Sequence, residues 1–185
     1  MGKVLREKGF HYRFINNNDE LSAAGFPANI YVVRHNGNVI PAAEWVKIKQ
    51  AVRNGALLVS AGYGEMNPDR HSNDPSLKLK WSGWEIDPSR KHYQVPDGWM
   101  KDAVSSMSAP SNGWLPVVSG NWRTPGAIRM QNGSFFNYLM VRPYGKGMIA
   151  VTSGDMMASG GKAIFGNEQP ESVAELLESL STLRR

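Results

Sequence analysis

Residues 135–157, FFNYLMVRPYGKGMIAVTSGDMM, constrain the fold more than any other segment of this chain. An aromatic and aliphatic run (135–141) precedes a turn with one proline and two glycines (143–147), and an almost wholly apolar run (148–152) follows. Proline and glycine mark turns, and a short apolar run is typical of a strand buried on both faces. The segment predicts a strand, a tight turn and a buried second strand, which leads into Ser153-Gly154-Asp155 where an open α/β sheet carries its functional loop.

A second segment, residues 29–60, has the pattern of a strand, a helix and a strand. The runs NIYVVR and ALLVS are short and apolar, and residues 41–54 lie between them. Trp45, Ile48 and Val52 recur at the spacing of one helix face, and Asn54-Gly55 suits the end of that helix. A strand, helix and strand in this order form a parallel crossover, so the sequence predicts an α/β fold.

The rest of the chain is interpreted as part of one domain, residues 1–185. A Trp-, Pro- and Gly-rich stretch, residues 66–130, is predicted to be an irregular elaboration of that domain rather than a second one. The C-terminal apolar spacing predicts a helix that begins at Pro170. Further predicted elements are a helix end at 3–9, strands at 11–15, 77–82, 115–118 and 127–130, and a short helix within 95–107.

Composition excludes several classes of function. The 185 residues contain no cysteine, which removes disulfides, thiolate nucleophiles and cysteine-ligated metals. The net charge is +5, so a basic nucleic-acid-binding protein is an alternative function. The basic residues are scattered rather than clustered, which argues against nucleic acid as the partner. The chain has neither an apolar run of membrane-spanning length nor the apolar core of a signal peptide. We therefore expect a cytoplasmic protein that binds no membrane and has no cofactor.

Two motifs carry a family resemblance. AVRNGALLVSAGYGE (51–65) and YGKGMIAVTSG (144–154) resemble segments of class I glutamine-amidotransferase-like domains. The nearest branch is the non-amidotransferase one, which includes trehalose-utilisation-type proteins and the trimerisation domain of some bacterial β-galactosidases. The resemblance implies a three-layer, flavodoxin-like α/β domain. It would have a mainly parallel sheet, a C-terminal antiparallel hairpin and a C-terminal helix.

The chain departs from the family pattern at three places. The strand that usually precedes the first helix has no counterpart, so the central strand would be missing, supplied by another chain or replaced, and its absence would leave a sheet edge exposed. Ser60 stands where the amidotransferases carry their nucleophilic cysteine, and Asp155 stands near the place of the catalytic histidine. A carboxylate is a weak general base for a serine hydroxyl near neutral pH. We therefore predict a non-catalytic or degenerate module with a binding or assembly role, and a homo-oligomer that forms through an exposed sheet edge.

The alternative candidates for chemistry cluster around the loop that follows ALLVS. The candidates are Ser60, Tyr63, Glu65 and His71. They could form a ligand-binding loop or a Ser-His-carboxylate site. With such a site the protein would be a carbohydrate- or ester-directed hydrolase that uses Ser60 and His71. The simpler interpretation is a polar strand end that turns at two glycines. The acidic residues and His71 match no metal-binding spacing, so no metal is predicted.

Tryptophan is concentrated in the stretch before the hairpin. Such side chains can stack on sugar rings, but in Gly- and Pro-rich regions they more often fill a small core under long loops. Trp84 and Trp99 have the most polar surroundings and are the candidates for a carbohydrate-related ligand. The GKG sequence of the turn lacks the spacing of a phosphate-binding loop and is predicted to be a hairpin turn.

Overall fold

The computed structural model describes residues 2–13, 15, 18–25, 28–34, 40–61, 79–86, 91–94, 112–118, 121–129, 135–152 and 170–182. Two helices come first, a strand, a helix and a strand follow them, and the later strands succeed one another up to the last described helix. The described elements are α1 (Gly2–Glu7), α2 (Asn18–Ala24), β1 (Ile30–Arg34), α3 (Ala42–Arg53), β2 (Leu57–Ala61), β3 (Leu79–Ile86), β4 (Lys91–Gln94), β5 (Asn112–Val118), β6 (Arg123–Arg129), β7 (Phe135–Tyr144), β8 (Gly147–Thr152) and α4 (Pro170–Thr182).

Six strands form one sheet in the order β1-β2-β8-β7-β6-β4, and β3 and β5 form a separate two-stranded ribbon. β1, β2 and β8 are parallel, whereas β8, β7, β6 and β4 pair antiparallel. The fold is thus α/β, but the prediction of a mainly parallel sheet is wrong for the described strands, because the sheet is mixed. Its antiparallel half draws both β4 and β6 from residues 66–130, the stretch that was predicted to be irregular. β1, β2 and β8 are direct neighbours with no gap between them, and β1 is an edge strand of this six-stranded sheet.

The predicted strand, helix and strand of residues 29–60 are confirmed as β1, α3 and β2. Trp45, Ile48 and Val52 are buried against the sheet, where they join Leu58, Met140, Ile149 and Val151 in one core cluster. Fully burying an aliphatic or aromatic side chain contributes roughly 1.5–3 kcal/mol, so this face of α3 holds the helix on the sheet. The helix ends at Arg53 with Asn54 as its C-cap, and Gly55 follows with a φ of 123°, a conformation that favours glycine.

The other face of the sheet is also buried. Leu57 and Val59 of β2 and Ala150 of β8 are inaccessible to solvent. The C-terminal helix α4 buries Ala174, Leu176, Leu177 and Leu180, and α1 contacts α4, with Lys8 Nζ 3.6 Å from Glu178 Oε2. Burial on both faces explains why β2 and β8 read as continuous apolar runs.

The N-terminal strand predicted at residues 11–15 is wrong, since 11–13 and 15 belong to no strand. The chain instead turns back at Gly9, where φ is 78°, and the Phe10 N–H donates to the Leu5 carbonyl at 2.8 Å. Tyr12 then contacts the Arg6 side chain. These local contacts with α1 replace the pairing that a strand would need.

The hairpin of residues 135–152 is confirmed, but its turn is shorter than predicted. Pro143 and Tyr144 belong to β7 and Gly147 belongs to β8, so that only Gly145 and Lys146 form the turn. The helix predicted within 95–107 lies outside the described residues. Among the helices that are described, none is both long and apolar enough to cross a membrane.

Candidate functional site

The three parallel strands end at one edge of the sheet. β1 ends at Arg34, β2 at Ala61 and β8 at Thr152. Ser60 lies one residue before the end of β2, and its Cα partners are Val33 on β1 and Val151 on β8. Ligands of α/β sheets bind at the carboxyl ends of strands, so this carboxyl edge is the first candidate site.

The sequence-predicted residues stand in different relations to this edge. Ser60 lies on it, while Tyr63 and Glu65 follow the end of β2 along the chain, and Asp155 follows the end of β8. Tyr63, Glu65, Asp155, His71 and Trp99 all lie outside the described residues. Their roles therefore stay predictions, as does the pairing of Ser60 with His71.

The first turn of α3 lies at the same edge, because α3 leaves the carboxyl end of β1 and returns the chain to the start of β2. Glu44, in that turn, is 7% exposed. Its carboxylate accepts hydrogen bonds from Lys47 Nζ at 3.1 and 3.2 Å and from the Ser22 hydroxyl at 3.3 Å. This buried carboxylate joins α2 to α3.

Sequence reasoning missed Glu44, although a signal was present. Glu44, Ile48 and Val52 fall at i, i+4 and i+8, which places the carboxylate in line with the apolar stripe of α3. A charge at such a position requires partners, and Lys47 and Ser22 supply them. Within the described part of the chain, no cluster of three or more acidic or histidine side chains could hold a metal ion.

At the opposite end of α3, the β7–β8 turn packs on the last turn of the helix. The Lys146 N–H donates to the Arg53 carbonyl at 2.9 Å, and the Met148 N–H donates to the Ala56 carbonyl at 3.2 Å. Arg53 Nη2 also donates to the Tyr144 hydroxyl at 2.9 Å, with its guanidinium 5.2 Å from the ring centroid. The turn therefore joins the hairpin to α3, as expected for a hairpin turn and not for a phosphate-binding loop.

The tryptophans of the described segments lie on the ribbon or at the main core. Trp84 on β3 is the register partner of Trp114 on β5, a pairing that the sequence did not predict. Trp122 is half-buried, packs against the core cluster and lies 5.7 Å from the Arg142 guanidinium. Trp122 thus packs on the core, whereas the ribbon places the positions of Trp84 and Trp114 directly opposite each other.

The outer edge of β1 is the second candidate site. Among the described strands β1 pairs only with β2, and Ile30, Tyr31 and Val32 are half-buried. The Asn29 carbonyl accepts from the Leu57 N–H at 2.9 Å. Because backbone groups of alternate residues point to opposite sides of a strand, Tyr31 bonds toward β2, while Ile30 and Val32 direct their N–H and C=O groups away from it.

Tyr31 also belongs to the core beneath this edge. Its ring packs against the core cluster under α3. Burial raises the pKa of the Tyr31 hydroxyl above its ordinary value of 10.0, and a backbone hydrogen bond with Ala28 opposes that shift. A buried phenol favours its neutral form, so the Tyr31 hydroxyl keeps its proton to a higher pH than an exposed tyrosine does.

Comparison with known proteins places the fold but no family. No family model matches the chain, and no curated protein matches its sequence. Among solved structures, a cold-adapted β-galactosidase from Rahnella sp. R3 superposes with a TM-score of 0.57 at 10% identity, over 84% of this chain and 22% of the enzyme. The chain thus spans about a fifth of that β-galactosidase.

Two smaller proteins match over more of their own length. A cytoplasmic protein of Salmonella typhimurium gives a TM-score of 0.61 at 16% identity, over 98% of this chain and 84% of that protein. A second cytoplasmic protein, from Salmonella typhimurium LT2, gives a TM-score of 0.57 at 15% identity. That match covers 91% of this chain and 76% of the Salmonella protein. At these identities the likeness shows the α/β fold alone.

Proposed function

We propose that this chain is a non-catalytic or degenerate amidotransferase-like module that acts in binding or assembly. In this proposal its layers are α3, the sheet and the α1–α4 pair, which is a three-layer, flavodoxin-like arrangement. Ser60 in place of a cysteine and Asp155 in place of a histidine support the loss of glutamine hydrolysis. The names of the two Salmonella neighbours support a cytoplasmic location.

The observation that carries an assembly role is the outer edge of β1. An edge strand with apolar side chains and outward backbone groups is a template for another strand. Ile30 and Val32 meet both conditions. The opposite edge, β4, is short and reads KHYQ, a polar composition that discourages strand addition. We therefore propose a homo-oligomer that forms through β1.

The β-galactosidase match is consistent with this role. Only a fifth of that enzyme corresponds to this chain, so there the same fold is a part of a larger protein. A module of this kind contributes contacts rather than chemistry, because its reactive positions lack a thiol and the matching base.

A proline scan of β1 tests the proposal. V32P removes an outward N–H and leaves the β1–β2 hydrogen bonds of Tyr31 in place, and proline is tolerated at such edge positions. We expect the wild type to be a dimer or larger at tens of micromolar by light scattering, and V32P to be a monomer with an unchanged circular-dichroism spectrum. The matched control V32T keeps a β-branched side chain and the N–H, and should remain oligomeric.

Two results would count against the proposal. A wild type that is monomeric at tens of micromolar removes the assembly role. A V32P variant that keeps the wild-type mass places the contact on another surface. Y31P serves as a positive control for damage, because it removes an N–H that bonds to β2 and should lower the melting temperature.

A ligand at the carboxyl edge is the second candidate function, favoured by the position of Ser60 beside Val151 at the ends of β2 and β8. The ligand would be carbohydrate-related, with Tyr63, Glu65, Trp84 and Trp99 as contacts, and the enzyme version would be a hydrolase that uses Ser60 and His71. Hydrolysis of nitrophenyl esters and glycosides tests it. S60A and H71A should each abolish turnover, and equal activity in wild type and S60A would exclude a serine hydrolase.

A further inference from the structure

We propose that the oligomer contains an antiparallel pair of β1 strands related by a twofold axis at Val32. This inference rests on the proposed assembly function and specifies its partner, a second copy of the chain, and its register. A twofold interface is formed by the same surface on both copies, so two β1 edges that meet in this way run antiparallel.

The backbone limits the registers available to such a pair. The Asn29 carbonyl accepts a hydrogen bond from the Leu57 N–H. Because backbone groups alternate along a strand, the backbone N–H and C=O groups of Ile30, Val32 and Arg34 point away from β2. In an antiparallel ladder, outward residues must oppose outward residues to exchange hydrogen bonds. An axis at Val32 satisfies this over the whole strand. Val32 then opposes Val32 of the second copy, and Ile30 of each copy opposes Arg34 of the other. Each of these three pairs exchanges two hydrogen bonds, which gives roughly six.

Charge favours the same register. Arg34 is the one charged residue of β1 and stands at its carboxyl end. An axis at Arg34 would set two arginine positions directly opposite each other, and like charges in that relation are destabilising. An axis at Val32 sets the arginine positions at opposite ends of the pair, each across from an isoleucine.

Side-chain rows across the sheet also continue through this axis. Ile30 and Val32 are register partners of Leu57 and Val59, which are fully buried on the face away from α3. Ile30 and Val32 are only half-buried, so the apolar row of that face reaches the edge of β1 incompletely covered. A second β1 would extend the row and cover the side chains at its end.

The absence of cysteine makes the register directly measurable, since every introduced thiol is the only one in the chain. Opposed residues of a hydrogen-bonded antiparallel pair have Cα atoms about 5.5 Å apart, which a disulfide can span. Under mild oxidation with glutathione, V32C should form a covalent dimer. I30C should not form one, because residue 30 of one copy lies four strand positions, or about 13 Å along the strand, from residue 30 of the other copy. The double variant I30C/R34C should restore the cross-link.

The outcomes separate the register from the assembly role. If scattering shows a dimer but V32C stays uncross-linked, the register is wrong and the assembly role stands. A cross-link that forms in Y31C and not in V32C would also overturn the proposed register, since that result places the twofold axis one residue earlier. A wild type that is monomeric and a V32C variant that never cross-links would overturn both proposals. The I30C/R34C dimer confirms the register independently of V32C.

Discussion

The contact between the β7–β8 turn and α3 yields the sharpest stability prediction, at Gly147. A Cβ atom built on Gly147 would lie well under 3.0 Å from the carbonyl oxygens of Val52 and Ala56. Both atoms are backbone, and Gly147 sits between Lys146 and Met148, whose N–H groups bond to the carbonyls of Arg53 and Ala56. An added methyl group must therefore separate the hairpin from the end of α3.

The expected cost of G147A follows from these contacts. Overpacking of this kind costs about 1–3 kcal/mol, and straining the two adjacent hydrogen bonds adds about 1 kcal/mol, so we expect about 3 kcal/mol. For a chain of this length that corresponds to a fall of roughly 6–12 °C in melting temperature. Calorimetry or urea unfolding followed by tryptophan fluorescence measures it.

G9A provides the matched control. Gly9 has a φ of 78°, and a methyl group at this position would meet nothing within 4 Å, so its substitution carries only the backbone cost of about 1–2 kcal/mol. Gly145 combines both effects, since its φ is 64° and a Cβ would lie 2.7 Å from Arg53 Cα. G145A and G147A should thus destabilise more than G9A. A melting temperature of G147A within about 1 °C of the wild type would refute the reasoning.

Three further perturbations test other contacts. Y144F removes the hydrogen bond from Arg53 while it keeps the ring contact, and should lower the free energy of unfolding by about 1 kcal/mol, an effect that R53A abolishes in a double-mutant cycle. E44Q removes the charge that Lys47 and Ser22 bind and should lower the free energy of unfolding in urea by about 1–2 kcal/mol. S22A should lower it by less. Equal stability of E44Q and wild type would contradict the role given to Glu44. Burial raises the pKa of Tyr31 in the folded state, so the contribution of its neutral hydroxyl to the free energy of unfolding is complete below pH 10.0 and is lost as the pH rises through the folded-state pKa. Y31F should therefore lose less stability than the wild type across that pH range. Profiles of unfolding free energy against pH that run parallel for Y31F and wild type would contradict this.

The parts of the fold that the sequence predicted depend on local signals. The helical spacing of Trp45, Ile48 and Val52 identified α3, and the apolar run before Thr152 identified β8 as a buried strand. The parallel direction of β1 and β2 followed from the helix between them. Glu44 was missed because a charge within an apolar stripe reads as surface until its partner Ser22, on another helix, is known.

The candidate sites show the same division. The sequence predicted Ser60 at the sharp turn that follows a buried strand, whereas the structure has Ser60 within β2, one residue before its carboxyl end and beside β8. The predicted edge for assembly was attributed to a missing central strand, yet β1, β2 and β8 are continuous neighbours. Among the described strands, the apolar sheet edge is the outer side of β1.

By itself the sequence determined that β1, α3, β2, the β7–β8 hairpin and α4 form and which of their faces are apolar, because these depend on residue spacing along the chain. The tertiary structure alone decided the order of the strands, the antiparallel half of the sheet and which backbone groups of β1 point outward. The reason is physical: backbone N–H and C=O groups are the same in nearly every residue, so a strand's partner is chosen by packing between distant segments. Val151 lies beside Ser60 for that reason, although the two residues are far apart in the chain.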